Sequence, residues 1–186
     1  MRGRTRLLLV AVVALLAVAG GATAVARMGP SLSASGPGRV TGTEASAIFQ
    51  LGGQTYHQVR YADRKLLTYA FTLHNDGRFS TTVTGLEPVE HEATLLRLRS
   101  LTDPDGEERF EIGSGDEVEV VLNIWMTDCE RLSARAASQI EEIGVRTEGF
   151  GGIDDVVRVE LPEQLRTGSA REMFCPRANA STRPPG

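Results

Sequence analysis

From Leu66 to Val83 the chain reads LLTYAFTLHNDGRFSTTV, and its apolar positions recur with a period of two. Leu67, Tyr69, Phe71 and Leu73 fall on one side, with Thr68, Ala70, Thr72 and His74 on the other. That alternation predicts a strand with one buried face. Phe79, Thr81 and Val83 then alternate with Ser80, Thr82 and Thr84. Asn75-Asp76-Gly77 lies between the two runs, and Asn and Gly both tolerate the positive φ of tight turns. The stretch therefore predicts a β-hairpin around which the remaining strands are arranged.

The same period returns further along. Val118, Val120, Leu122, Ile124 and Met126 share one face of a strand over Glu117–Met126, and Trp125 points the other way. Ile143, Val145 and Thr147, then Val157, Val159 and Leu161, flank the turn Phe150-Gly151-Gly152 and predict a closing hairpin. Ala47, Phe49 and Leu51, the stretch Tyr56 to Tyr61 and the Leu-rich run Ala93 to Leu101 predict three more strands. Asp103-Pro104-Asp105-Gly106 is a turn, since Pro presets φ and Gly permits the reversal. Ser133 to Ser138 has the composition of a helical turn. About seven short strands with turns between them predict an all-β fold, a β-sandwich, with a barrel as the structural alternative.

The N-terminus has a different pattern. Arg2, Arg4 and Arg6 precede an apolar run from Leu7 to Ala26. As a helix, twenty residues span about 30 Å, one hydrocarbon core. The arginines favour the cytoplasmic side, so the chain beyond should be exported. Two readings stand open: a signal anchor retained as a transmembrane helix, or a signal peptide cut after Ala22-Thr23-Ala24 or Ala24-Val25-Ala26. The expected organisation is a signal anchor or signal peptide over 1–26, a flexible Gly/Ser/Pro-rich linker over 27–43, a sandwich over 44–176 and a disordered tail over 177–186.

Charge narrows the partners. The formal net charge is −4, yet residues 1–27 contain four arginines and no acid, so the exported part is more acidic than the average. An acidic domain is unsuited to nucleic acid, whose phosphates need a basic surface, and to lying flat on anionic lipid. The expected contacts are the cytoplasmic membrane, through residues 7–26, and a protein of the cell envelope.

Candidate chemistry is sparse. Cys129 and Cys175 are the two cysteines. In an oxidising compartment an even pair is most simply one disulfide, worth about 4 kcal/mol on the loop-entropy argument. They lack the Cys-x-x-Cys spacing of a redox pair. His57, His74 and His91 match no metal motif and are expected to be exposed. The acidic run Asp103, Asp105, Glu107, Glu108, Glu111, Asp116 and Glu117 opens like a calcium loop, but its third ligand, glycine spacing and closing Glu are wrong. No nucleophile elbow or metalloprotease histidine pair is present. No catalytic residue, metal or cofactor is therefore assigned. Trp125, the single tryptophan, covers the disulfide or the second face of the sheet, or anchors a partner surface.

YAFTLHNDGRFSTTVTGL, with the later GSGDEVEVVLNIWMTDC, resembles exported single-pass actinobacterial proteins of unknown function that carry an immunoglobulin-like domain. The resemblance covers Lys65 to Cys175. It implies an immunoglobulin-like sandwich with one disulfide and supplies no active-site residues. No tryptophan stands on the strand where antibody domains carry one, which argues against a true antibody-type domain. The expected function is a non-enzymatic, membrane-tethered extracytoplasmic module mediating protein interaction, secreted if the signal is cut. The alternative is an exported ligand- or metal-ion-binding domain.

Overall fold

The computed structural model describes residues 29–87, 94–127 and 138–167. The described residues form ten strands and no helix: β1 Leu32–Thr41, β2 Ser46–Leu51, β3 Gln54–Val59, β4 Leu66–Asn75, β5 Thr81–Leu86, β6 Leu96–Thr102, β7 Phe110–Ile112, β8 Glu117–Met126, β9 Gln139–Glu148 and β10 Asp154–Thr167. One sheet has the order β1-β4-β8-β6, and the other β2-β3-β10-β9-β5-β7. The two pack face to face as a β-sandwich. Every pairing is antiparallel except β3 with β10.

The alternating runs make the core. Leu67, Tyr69, Phe71 and Leu73 of β4 and Val120, Leu122, Ile124 and Met126 of β8 turn inward from the four-stranded sheet. Val59, Val83, Ile143, Val145, Val159 and Leu165 meet them from the six-stranded sheet. Each such side chain contributes about 1.5–3 kcal/mol on leaving water. β9 and β10 form the closing hairpin, with Glu148 opposite Asp154.

The leading hairpin does not form. β4 pairs with β1 and β8, whereas β5 pairs with β7 and β9 in the other sheet. Residues 76–80 cross between the layers instead of closing a ladder. The reason is Asn75, which is buried and not a surface turn residue. Its Nδ2 lies 2.9 Å from the Phe79 carbonyl, 3.0 Å from that of Ile112 and 3.2 Å from that of Gly113, while its Oδ1 accepts from Gly77 N–H at 2.9 Å. The side chain thus satisfies the backbone of the crossover, which a hairpin ladder would otherwise do. Both strands keep an inward apolar face because each belongs to a different layer.

The linker expectation for 27–43 also needs correction, because Leu32–Thr41 is β1, paired with β4 across a register shift between Ser35 and Arg39. Gly36-Pro37-Gly38 forms that irregularity, and Gly36 takes φ +96°. The globular unit therefore begins before Glu44. The spans 1–26 and 177–186, and residues 133–137 of the helical turn expected over Ser133 to Ser138, lie outside the described residues, as do Cys129, Cys175 and His91.

Strand directions give the domain two distinct ends. Leu32 at the start of β1 pairs with Asn75, so the chain enters where the 76–80, 113–116 and 149–153 connections lie. Thr167 at the end of β10 pairs with Val59, at the opposite end.

Candidate functional site

Four elements converge on one buried carboxylate. In β10 the pairing with β9 shifts register between Glu160 and Leu165, and Pro162, which has no N–H, sits in the shifted stretch. Strand alternation carries Leu161, Glu163 and Leu165 inward, and all three are buried. β3 presents His57 on its inward phase, and β4 presents Tyr69. The β1 bulge brings the backbone of Gly38 to the same point.

Glu163 takes its bonds from all of them. Gly38 N–H donates to Oε1 at 3.1 Å. His57 Nδ1 lies 2.8 Å from Oε2, and the Tyr69 hydroxyl donates to Oε2 at 3.4 Å. The His57 and Tyr69 rings meet edge to face with centroids 6.1 Å apart. With Glu163 ionised, the proton of the His57 contact resides on Nδ1. Burial holds the Tyr69 hydroxyl well above the ordinary tyrosine range, and the Glu163 charge adds to that. A buried carboxylate is costly unless its lone pairs are satisfied, and here three donors serve it. Gly38 is required for the approach: a Cβ there would meet the Tyr69 ring at Cε2, Cζ and Oη.

This cluster ties the two sheets together. Among the described residues no buried side-chain nitrogen or oxygen lacks a partner. A shallow recess of about 350 Å³ lies beside Gln54, Thr55, Glu141, Glu142, Glu160 and Gln164, but His57, Tyr69 and Glu163 do not line it. With side-chain exposures of 4% for His57 and 5% for Glu163, the cluster lies within the core and joins β1, β3, β4 and β10. His57, expected to be exposed, is buried because its strand phase turns it inward toward a carboxylate 106 residues away. The signal was present in the sequence: Glu163 interrupts the inward series Val157, Val159, Leu161 and Leu165.

The other candidates lie apart. His74 is on the outer face, with Nδ1 2.8 Å from Asp76 Oδ1. A hydrogen bond from Ser33, then His74, holds the Asp76 carboxyl below its usual range. The acidic loop closes on itself, since Asp103 Oδ1 accepts the N–H groups of Asp105 and Glu107 at 3.0 and 2.9 Å. No group of three or more His, Cys, Asp or Glu side chains among the described residues is placed to share a metal ion.

Trp125 is half-buried on the outer face of the four-stranded sheet. Arg99 lies over its ring, with Cζ 5.8 Å from the centroid, and Leu66 is its neighbour on β4. Two larger apolar features were not anticipated. Phe79 and Phe150 stack with centroids 4.9 Å apart, and Phe150 is 66% and Ile153 63% exposed. At the edge of the other sheet, Ile48 is 52% and Leu51 66% exposed. Phe79 and Phe150 come from different connections, so their meeting follows from the crossover at Asn75, which periodicity does not reveal.

No protein-family model matches the chain, and no curated protein matches it.

Proposed function

We propose that this chain is an exported immunoglobulin-like module that acts by binding another protein of the cell envelope, without catalysing a reaction. The immunoglobulin-like part rests on strand order. β1-β4-β8-β6 follows the A-B-E-D order, and β5, β9 and β10 take the C, F and G places, with β2, β3 and β7 as additions. The apolar run 7–26 holds the module at the cytoplasmic membrane with the domain outside, or releases it if cut.

One observation carries the binding reading: the apolar cluster of Phe79, Phe150 and Ile153 at the end where the chain enters. Pro30 lies beside Gly149, 3.6 Å from where a Cβ on that glycine would stand, so the cluster sits next to the entry point. Exposed contiguous apolar surface marks interaction sites, and aromatic residues dominate binding energy there. By strand register and backbone bonds Asp76, Asp116, Glu148, Asp154 and Asp155 belong to the same end, with Arg78 beside Asp76 in sequence and Arg109 paired to Glu148. A partner with an apolar centre and a basic rim fits this end, and anionic lipid does not. Trp125 with Leu66 offers a second contact on the outer face.

The test is a photo-crosslinking residue at Phe150, and separately at Trp125, in the full chain expressed in its own cell. One dominant envelope protein trapped at Phe150 supports the reading. Absence of any reproducible adduct at either position, or turnover of a substrate by the purified chain, refutes it.

A further inference from the structure

Among the described residues two open sheets leave four edges: β1 and β6 on one, β2 and β7 on the other. A free edge is a template for another strand, and proteins blunt it with shortness, bulges, proline or charge. β7 has three residues, one of them Glu111. β6 carries Arg97 and Arg99 and a register shift between Leu98 and Ser100. β1 is broken by Gly36-Pro37-Gly38. β2 has none of these devices. Its six residues, SAIFQL, hold no charge and no proline, and they pair with β3 in unbroken register.

The geometry makes this edge available. All six positions are exposed. Ile48 pairs with buried His57 and so lies on the inward phase, yet about half of its surface stays exposed. On the other face Phe49 stacks on Tyr56 with centroids 5.4 Å apart. The bond from Arg60 N–H to the Ala45 carbonyl fixes the phase of the ladder. Residues 45, 47, 49 and 51 turn their backbone groups to β3, so Ser46, Ile48 and Gln50 turn theirs to the open side.

We propose that β2 pairs antiparallel with β2 of a second copy about a two-fold axis at Ile48. A two-fold contact must be complementary to itself, and a charge-free strand meets that condition without setting like charges opposite each other. The ladder phase limits the pairing to registers that set open-side residues opposite one another, and an axis at Ile48 engages Ser46, Ile48 and Gln50 together. Ile48 faces Ile48 of the second copy, Ser46 faces Gln50, and Phe49 faces the small Ala47. The pair joins the two six-stranded sheets into one and covers both Ile48 side chains. The same axis points the two N-terminal ends in opposite directions. The pairing therefore belongs to copies that have been released or that face each other from two membranes. It uses a surface separate from Phe79, Phe150 and Ile153, so it stands independently of the envelope partner.

The test is sedimentation velocity of the purified full chain in detergent, with Ile48→Lys and Ile48→Cys variants. A concentration-dependent wild-type dimer is expected, with a dissociation constant at least about tenfold weaker in Ile48→Lys and unchanged circular dichroism. Mild oxidation of Ile48→Cys should give a covalent dimer above the wild-type blank, which retains Cys129 and Cys175. A wild-type chain that stays monomeric overturns the proposal, as does a dimer that Ile48→Lys leaves intact. A monomer that crosslinks through Ile48 to a different protein also overturns it and assigns the edge to a strand of that protein.

Discussion

Glu163 and His57 stand 106 residues apart in the chain and 2.8 Å apart in space, on neighbouring parallel strands, and Tyr69 reaches the same carboxylate from the opposite sheet. Removing the acceptor strands three donors in the core. Glu163→Ala should lower stability by about 3–5 kcal/mol, the range for breaking a buried pair. Glu163→Gln, which keeps one acceptor oxygen, should lose less. Urea unfolding reads both, as a shift in midpoint with an unchanged slope.

Gly38 has no room for a methyl group. Gly38→Ala should cost about 1–3 kcal/mol by overpacking against the Tyr69 ring. In a Tyr69→Ala background the ring is gone, so the added cost of Gly38→Ala should shrink markedly. Additive penalties in the double-mutant cycle would contradict the contact.

Tyr69 predicts an alkaline limb. Its folded-state pKa is raised above the ordinary 10.0, so above that pH the unfolded chain loses the proton while the folded chain keeps it. Stability is full below about pH 10 and falls above it, with a slope of about 1.4 kcal/mol per pH unit for one proton. Tyr69→Phe should remove that slope at a cost near neutrality of about 1 kcal/mol for the lost hydrogen bond. Unfolding curves for both proteins between neutral and strongly alkaline pH decide it.

Asn75 governs the crossover. Asn75→Asp exchanges a donor amide for a carboxylate facing the carbonyls of Phe79, Ile112 and Gly113. The charged form should destabilise by several kcal/mol. Part of the loss should return on acidification as the buried carboxyl takes up a proton and can donate. A variant whose stability deficit is independent of pH would refute this account.

Phe150 should separate binding from folding. Phe150→Ser removes only the stack on Phe79 from an exposed turn, so stability should fall by no more than about 1.5 kcal/mol. Crosslinking to the proposed envelope partner from a neighbouring position should fall at least about tenfold. Retained crosslinking would move the partner surface elsewhere.

Strand phase was legible in the sequence wherever the core is apolar on one side. β8, β9, β10 and the inward face of β4 follow the period-two pattern, because a one-residue slip would expose every buried side chain. Strand partnership was not legible. Asn75-Asp76-Gly77 has hairpin chemistry, but Asn75 spends it on bonds to residues 112 and 113, which no local pattern can anticipate. β1 was hidden for a related reason: Gly36-Pro37-Gly38 has linker composition, and only the Tyr69 ring explains why glycine is required there. His57 and Glu163 occupy inward positions of their strands, yet pairing them needs the parallel register of β3 and β10.

The placement of the two chain ends has a mechanical consequence. β1 runs away from the entry end and β10 runs toward the exit end, so a force between residues before Leu32 and beyond Thr167 acts along both strands. The hydrogen bonds of β1 to β4 and of β10 to β3 and β9 lie across that direction. Tension would load them together in shear instead of peeling them one by one. Stretched between an anchored N-terminus and a captured C-terminus, the domain would behave as a stiff link until a whole ladder gave way at once.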